Sequence, residues 1–497
     1  MQEDGGGMSG SQEENRAKVP EKVQQDGEVR ARWAWAEAAV WTDRMLTALE
    51  EGVKGDKWFR LIDKVYAERN LLAGYRKVAA NKGAPGVDHI TVEEYGRNLE
   101  MNVARASKAL IEGTYVPQAI RRVFIPKPGS NEQRPLGIPT VQDRVIQAAL
   151  RHVVEPIFEK EFAERSYGFR PVKGCKDALR RVDELLKQGY HYVVDADLKS
   201  YFDTIPHDRL MGRLRERIAD GRVLKLIESF LKAGIMEGDE EMKPEAGAPQ
   251  GAVLSPLLSN IYLNPLDHQM AGQGYKMVRY ADDFVILCKS LEEAEQALAK
   301  VRQWCEAEGL TLHPTKTKIV DIRVEGFDFL GYHFQMTRQG RLRRWPGKKS
   351  IEKLRETLRG KTKRTNGNSL GDIIRNVSIS LRGWFGYFKH SNPNTLRDID
   401  QWVRMRLRSI LRMRLGLRGR GRGKDHHRWQ NVFFAEHGLF SLLTAHKNCS
   451  SIPFGVRPST GEPDAGDPPV RFGGRGKRTN RLSLPLFYFP PTSTTFT

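Results

Sequence analysis

Cysteine is scarce in this chain, and its four copies, Cys175, Cys288, Cys305 and Cys449, contain no Cys-x-x-Cys pair. That scatter excludes a zinc ribbon and a disulfide framework, and it leads us to expect a reducing, cytoplasmic setting. Long apolar runs are missing as well: no stretch approaches the roughly 18 residues of a membrane helix. The first 30 residues lack the apolar core of a signal peptide. They are polar, glycine-bearing and mixed in charge, so residues 1–30 read as a disordered leader. Acidic residues are what one segment lacks most. Between Arg338 and Arg428 there are 26 Lys+Arg against 6 Asp+Glu, a net of +20, and the rest of the chain balances at 55 against 55. One block therefore carries the whole basic excess. Trp345, Trp384, Phe385, Tyr387, Phe388 and Trp402 are interleaved with it, as expected for a nucleic-acid surface where cations displace counterions and rings stack on bases. An acidic membrane is a poorer match, because the block has no long uninterrupted apolar face.

Against that background, two adjacent carboxylates stand out in Arg279-Tyr280-Ala281-Asp282-Asp283-Phe284. Apolar residues lead up to the pair and resume at once, which predicts a β-hairpin with acids at its tip. Adjacent carboxylates repel, so they raise a pKa or require a cation, and a Mg2+ site uses one or two carboxylates plus substrate phosphates. Asp is also common in ordinary turns, so the pair alone does not define a site. A second acidic strand end lies in residues 190–203. There Asp197 is the candidate ligand, Asp195 shares its strand face and ranks second, and Asp203 reads as a cap for the next helix.

The remaining text supplies a scaffold. Residues 31–80 are helical in pattern, with Trp58, Leu61, Ile62, Val65 and Leu72 near 3.6-residue spacing. A turn-rich loop follows at 81–88, and Thr91 starts a capped helix. Two short strands near 121–126 and 134–139, joined by a basic loop, predict a flap whose Lys127 and Arg134 could close over a triphosphate. Residues 141–161 read as a long amphipathic helix, 166–171 as a compact turn and 209–231 as helical. In the loop 247–256, small residues permit close approach of a ligand and Gln250 can hydrogen-bond a sugar or base edge. Helices are expected at 257–266 and 292–308, a loop and strand at 309–320, and a hairpin at 327–334. The basic block should be helical at 351–359, 370–389 and 395–415, then a flexible tether at 419–424 and one more packed element at 429–444. Residues 449–497 read as a disordered tail.

In this order, the motifs resemble those of reverse transcriptase/maturase proteins encoded by bacterial group II introns. The likeness runs from Trp58 to His446: the 81–88 loop, Arg134 to Pro139, Ser166 to Pro171, Asp197 to Asp203, Gln250 to Pro256, Tyr280 to Asp283, the primer-grip-like Phe329 to Tyr332, and the maturase-like Leu381 to Phe388. The resemblance implies an α+β right-hand polymerase: an N-terminal helical extension and fingers at 31–190, a palm with an antiparallel sheet at 191–335, and a helical basic thumb or maturase domain at 336–448. It further implies that Asp197 and Asp282 hold two Mg2+ ions, with Asp283 alongside and Leu198 in the metal-binding set; Mn2+ is the alternative ion. Lys127 and Arg134 would meet the triphosphate, Phe202 the underside of the ribose, Gln250 the sugar, and Lys316 would be a proton donor to pyrophosphate. A bulky Phe202 would exclude a 2′-hydroxyl and favour dNTPs.

The implied partners are a group II intron RNA, an RNA template with a DNA primer, dNTPs and target DNA. RNA contacts are expected from Lys348, Lys349, Arg355 and Lys361, then Lys363 and Arg364, then Arg382 and Lys389, and from Arg404, Arg408 and Arg412. No nuclease domain rich in Cys and His pairs is recognisable, so a nick or replication fork is expected to supply the primer. Two other readings stay open at this level: an RNA-binding splicing cofactor with a vestigial polymerase, and a reverse transcriptase domesticated for defence.

Overall fold

The computed structural model describes residues 26–126 and 133–449. Lys127, most of the expected leader and the tail beyond Cys449 lie outside them. Within the expected leader, residues from Asp26 onward are helical: α1 is Asp26–Arg32. The helical pattern of 31–80 is divided among α2 (Asp43–Glu51), α3 (Ile62–Tyr66) and α4 (Glu68–Asn81). Gly52, at φ 93°, stops α2, and Trp58 pairs with Ile218 in an isolated bridge, so the chain between is pinned to a distant segment. After the predicted loop come α5 (Val92–Arg97), opened by a Thr91/Glu94 capping box, and α6 (Leu99–Glu112).

The flap is present as β1 (Ile120–Pro126) and β2 (Gln133–Ile138), antiparallel with Ile125 opposite Arg134. Next, α7 (Val141–Glu159) departs from expectation. It is not amphipathic in the ordinary sense, because its polar residues are buried along with its apolar ones. Most of these groups have partners: Arg151 pairs with Glu155 at 2.5 Å, Arg144 donates to the Ala84 carbonyl, and Gln147 Oε1 accepts from the Val253 amide at 2.9 Å, while His152 bonds Asn70 through Nδ1 and leaves Nε2 without a partner among the described residues. A polar face can thus be an internal one when its groups are hydrogen-bonded.

The central sheet follows α8 (Cys175–Lys187) and starts with β3 (Tyr192–Asp197). Helices α9 (Tyr201–Thr204), α10 (His207–Arg217) and α11 (Gly221–Leu231) come next, so the helical stretch 209–231 is two helices. Asp220 makes the break, capping α11 while accepting from the Leu61 amide at 2.6 Å. Asp203 does not cap α10; Pro206 holds that position without a side-chain bond. Two short strands absent from the sequence reading, β4 (Ile235–Glu237) and β5 (Glu240–Met242), extend the flap into a sheet of order β2-β1-β4-β5.

Helix α12 (Ser255–Gly272) leads to β6 (Lys276–Tyr280) and β7 (Asp283–Cys288), and α13 (Leu291–Ala307) leads to β8 (Lys318–Asp321). The order is β6-β7-β3-β8, with every neighbour antiparallel. Alternation along the strands serves two cores. Val194, Ala196, Phe284 and Ile286 join the larger one with α12 and α13, while Val193, Val285, Leu287 and Val320 join another with α8. Burial on both faces explains why residues 284–288 are apolar without interruption.

The hairpin predicted at 327–334 is β9 (Phe327–Phe329) with β10 (Tyr332–Met336), and a third strand, β11 (Leu342–Pro346), adds to it from within the basic block. Then α14 (Lys348–Lys361), α15 (Leu370–Phe388) and α16 (Pro393–Arg414) enclose a separate core of Leu354, Leu358, Val377, Leu381, Val403 and Leu407. The expected tether at 419–424 packs on α16: a Cβ on Gly421 would lie 2.9 Å from that of Arg408. It runs into α17 (Gly423–Arg428), then α18 (Asn431–Glu436) and α19 (Leu442–Cys449), the last capped by the Asp400 carboxylate, which accepts from the Leu442 amide at 3.0 Å.

Candidate active site

The acidic turn is built from beneath. Arg279 is wholly buried in β6, where its guanidinium donates to Asp267 of α12 at 2.8 Å, to Asn260 Oδ1 at 2.9 Å and to the Ala281 carbonyl at 2.9 Å. A buried charge is tolerable only when paired and hydrogen-bonded, and this one is both. It also grips the turn at Ala281, whose φ of 60° lies in the left-handed region. The turn predicted at 166–171 braces the same hairpin. Tyr167 donates its amide to the Arg279 carbonyl at 2.9 Å, Asn260 donates to the Gly168 carbonyl at 2.8 Å, and a Cβ on Gly168 would fall 2.1 Å from the Ala281 nitrogen. Arg170 is buried and paired with Glu159 at 2.7 Å, which closes the brace.

Asp197 and Asp283 sit directly opposite each other across β3 and β7, and Asp282 occupies the adjoining turn. Burial raises the Asp282 carboxyl, with the Asp197 charge adding to it. Burial lifts Asp283 well above the usual range, with Asp282, Asp195 and Asp197 adding repulsion. Asp195, ranked second from sequence, is raised to about 6, chiefly by burial. It belongs to the same patch of negative field without standing at the tip.

Cations answer this field from two directions. Lys316 places its ammonium 2.7 Å from Asp197 Oδ2, and the Arg134 charge on β2 favours ionised Asp282. Lys316 is carried there by the segment 311–317, which is tied to the end of β3: Leu198 pairs with Leu312, and the His313 amide donates to the Asp197 carbonyl at 2.7 Å. The Asp197–Lys316 pair is half-exposed and contributes little stability. Its value is positional. Among the described residues no group of three or more His, Cys, Asp or Glu side chains is arranged to hold a metal ion by itself. An acidic cluster of oxygen donors left partly open suits a hard divalent cation whose shell is completed by water and phosphate oxygens.

Phe202 is half-buried, edge-on to Tyr201 at 5.3 Å, and Tyr201 is fixed by its hydroxyl donating to the Ser259 carbonyl at 2.9 Å. The Phe202 carbonyl accepts from the Ala248 amide at 2.7 Å. Two residues on, Gln250 is half-buried and its carbonyl accepts from the Gly137 amide of β2 at 2.6 Å. Gly251, at φ 105°, allows this approach, since a Cβ there would lie 2.5 Å from the Gly137 carbonyl oxygen. One loop therefore links Phe202 to the flap.

Of the basic candidates, Lys348, Lys349, Lys363, Arg364 and Arg382 are exposed, while Arg355, Lys389 and Arg404 are half-buried. Three others turn inward. Lys361 donates to the Asn376 carbonyl and to Ser380 Oγ, tying α14 to α15. Arg408 is buried, bonded to the Trp429 carbonyl and Asn431 Oδ1 at 2.9 Å each. Arg412 pairs with Asp425 at 2.8 Å. These charges hold the helices together, and a sequence count of Arg and Lys cannot separate them from surface charges. Also missed were Arg279, Asp267, Asn260 and Gly168; the one available signal was a charged residue at a strand position otherwise reserved for apolar ones.

Comparison with known proteins identifies the family. Residues 125–334 match the family model described as reverse transcriptase (RNA-dependent DNA polymerase), and residues 351–429 match the group II intron maturase-specific domain. The chain is 34% identical to Protein YkfC of Escherichia coli over 330 residues, covering 57% of this chain and 85% of that one. It is 40% identical to the group II intron-encoded protein LtrA of Lactococcus lactis over 195 residues, which is 39% of this chain and 32% of LtrA. A putative COX1/OXI3 intron 1 protein of Saccharomyces cerevisiae is 26% identical over 408 residues, 69% of this chain and 47% of that one. The chain thus spans most of the first relative and a third to a half of the other two. Reverse transcriptases of this kind use divalent metal ions. The chain belongs to the reverse transcriptase/maturase family encoded by bacterial group II introns and is an RNA-directed DNA polymerase.

Proposed function

We propose that the protein extends a DNA primer on an RNA template at Asp197, Asp282 and Asp283, and that its basic helical region holds a group II intron RNA to promote splicing and mobility. The observation that carries this is the placement of Asp197 opposite Asp283 with Asp282 on the adjoining turn, met by Lys316 and Arg134. Two Mg2+ ions bound there, or Mn2+ in their place, would lower the pKa of the primer hydroxyl and stabilise the departing pyrophosphate. Asp197 and Asp282 supply the oxygen donors, with Asp283 alongside and the backbone at Leu198 adjoining. Arg134, with Lys127 from the flap loop, meets the triphosphate. Lys316, already hydrogen-bonded at the acids, is placed to protonate pyrophosphate. Exposed Lys348, Lys349, Lys363, Arg364 and Arg382 face the RNA. Among the described residues the four cysteines form no disulfide, which suits a cytoplasmic setting.

The test is primer extension on an RNA template with dNTPs, run beside splicing of the RNA that copurifies with the protein. Both activities are expected. Splicing without any DNA synthesis would favour a splicing cofactor with an inert polymerase.

Phe202 is assigned to the ribose. Its ring is held by Tyr201 and its backbone by Ala248, so it stands as a rigid wall. Phe202→Val is expected to relax discrimination against rNTPs by about 10- to 200-fold, the range for removing bulk from a binding pocket. Competition between dNTPs and rNTPs in single-nucleotide incorporation measures it, and unchanged selectivity would remove the assignment.

A further inference from the structure

A small cavity of about 210 Å3 opens between the end of α14, the middle of α16 and the glycine-rich segment after it. Arg359, Arg364, Arg406 and Arg420 line it together with Trp402, and no carboxylate does. Such a concentration of like charge is costly in a folded chain unless an anion offsets it. Its parts come from three places in sequence. Trp402 and Arg406 are four apart on one helix face, Arg359 and Arg364 flank the end of α14, and Arg420 arrives because the segment 418–422 folds back on α16.

One wall of the cavity is held by protein contacts before any ligand enters. Arg406 is locked by bonds to Thr362 Oγ1 at 2.6 Å and to the Thr362 carbonyl at 2.9 Å. The guanidiniums of Arg406, Arg355 and Arg359 lie over the Trp402 ring at 5.3, 5.8 and 6.0 Å, where the face of the indole attracts and orients them. Within the described residues, the side chains of Arg359, Arg364 and Arg420 donate to no protein group. The Nε of Arg355 is shielded from solvent and also has no hydrogen-bond partner. Burial and the nearby Arg359 and Arg364 charges lower the Arg406 pKa, which places these three close together. Planar donors converging without a carboxylate match the oxygens of a phosphate.

We propose that this cavity receives a phosphodiester group of bound RNA, at a point where a single strand bends sharply enough to insert one phosphate between the helices. The assignment rests on the reading of the basic region as RNA-binding. It adds a shaped recess, anchored at Arg406 and Trp402, to the exposed charges around it. The cavity is too narrow for a duplex and roomy enough for one phosphate with its sugar.

The experiment uses the full chain and a labelled single-stranded RNA, with affinity measured by fluorescence anisotropy across a salt series. Arg364→Gln with Arg420→Gln changes two exposed residues that hold no internal bond, so the fold is retained. The double variant is expected to bind about tenfold more weakly, and the slope of log affinity on log salt should fall by about 0.7, the value for one single-strand phosphate. Lys353→Gln with Arg397→Gln, two exposed cations away from the cavity, should lose less. Equal losses in the two pairs, or an unchanged slope in the first, would overturn the proposal. So would inorganic pyrophosphate competing with RNA equally well in both proteins, since the cavity would then play no part in phosphate recognition. RNA binding by the unmodified protein separates the failures: if it is absent, the maturase reading falls too; if it is present with both variants unaffected, only the cavity assignment falls.

Discussion

Asp282→Ala is expected to abolish DNA synthesis, lowering the single-turnover rate of primer extension about a thousandfold or more. The carboxylate stands at the tip of the hairpin beside the Asp197–Asp283 pair, which we propose as the oxygen donors for divalent cations. Removing one donor forfeits several kcal/mol of charge stabilisation, and each ~1.4 kcal/mol is tenfold in rate. The fold should not suffer. Burial and the neighbouring acid raise the Asp282 pKa, so its charge opposes folding, and deleting it relieves that strain. Thermal unfolding of the variant should therefore match or slightly exceed the original, and RNA binding, centred elsewhere, should persist. A rate within tenfold of the unmodified protein would contradict the assignment of Asp282 and with it the polymerase site.

Gly168→Ala should be nearly as damaging, although residue 168 carries no chemistry. Its added Cβ would lie 2.1 Å from the Ala281 nitrogen and 2.7 Å from the Tyr280 carbonyl carbon. Both are backbone atoms, so no side chain can swing aside. The turn bearing Asp282 must shift, or the brace formed by Tyr167 and Asn260 must open. A displacement of about 1 Å at reacting groups costs roughly a hundredfold in rate. A hundredfold loss of extension with RNA affinity preserved is the expected result. Gly212→Ala is the control: that glycine lies in α10 with nothing within 4 Å of an added Cβ, so activity should be unchanged. Full activity in Gly168→Ala would mean that the hairpin tip tolerates movement and that its rigidity is not needed.

These two residues mark how far the sequence could be read. Asp282 was legible because an acidic pair interrupting a β-branched run is a local signal, and the same applies to Asp197 at the end of its strand. Gly168 was not legible, since its constraint comes from Ala281, more than a hundred residues later in the chain. The α7 helix shows the limit in another way. Its spacing of polar and apolar residues suggested a solvent face, yet Gln147, Arg151 and Glu155 are buried because α4 and the 253–254 backbone reach them. Among the basic residues, composition correctly located the block but treated Lys361, Arg408 and Arg412 as equivalent to their exposed neighbours.

From its sequence alone this protein has the strand and helix periods, the acids at strand ends and the single basic block, because each depends on neighbours a few residues apart. Only the tertiary structure decides which charges meet water and which are enclosed, that Arg279 and Gly168 support the acidic turn, and that four arginines from three segments share one cavity. Burial and pairing are set by partners distant along the chain, and no local pattern encodes them.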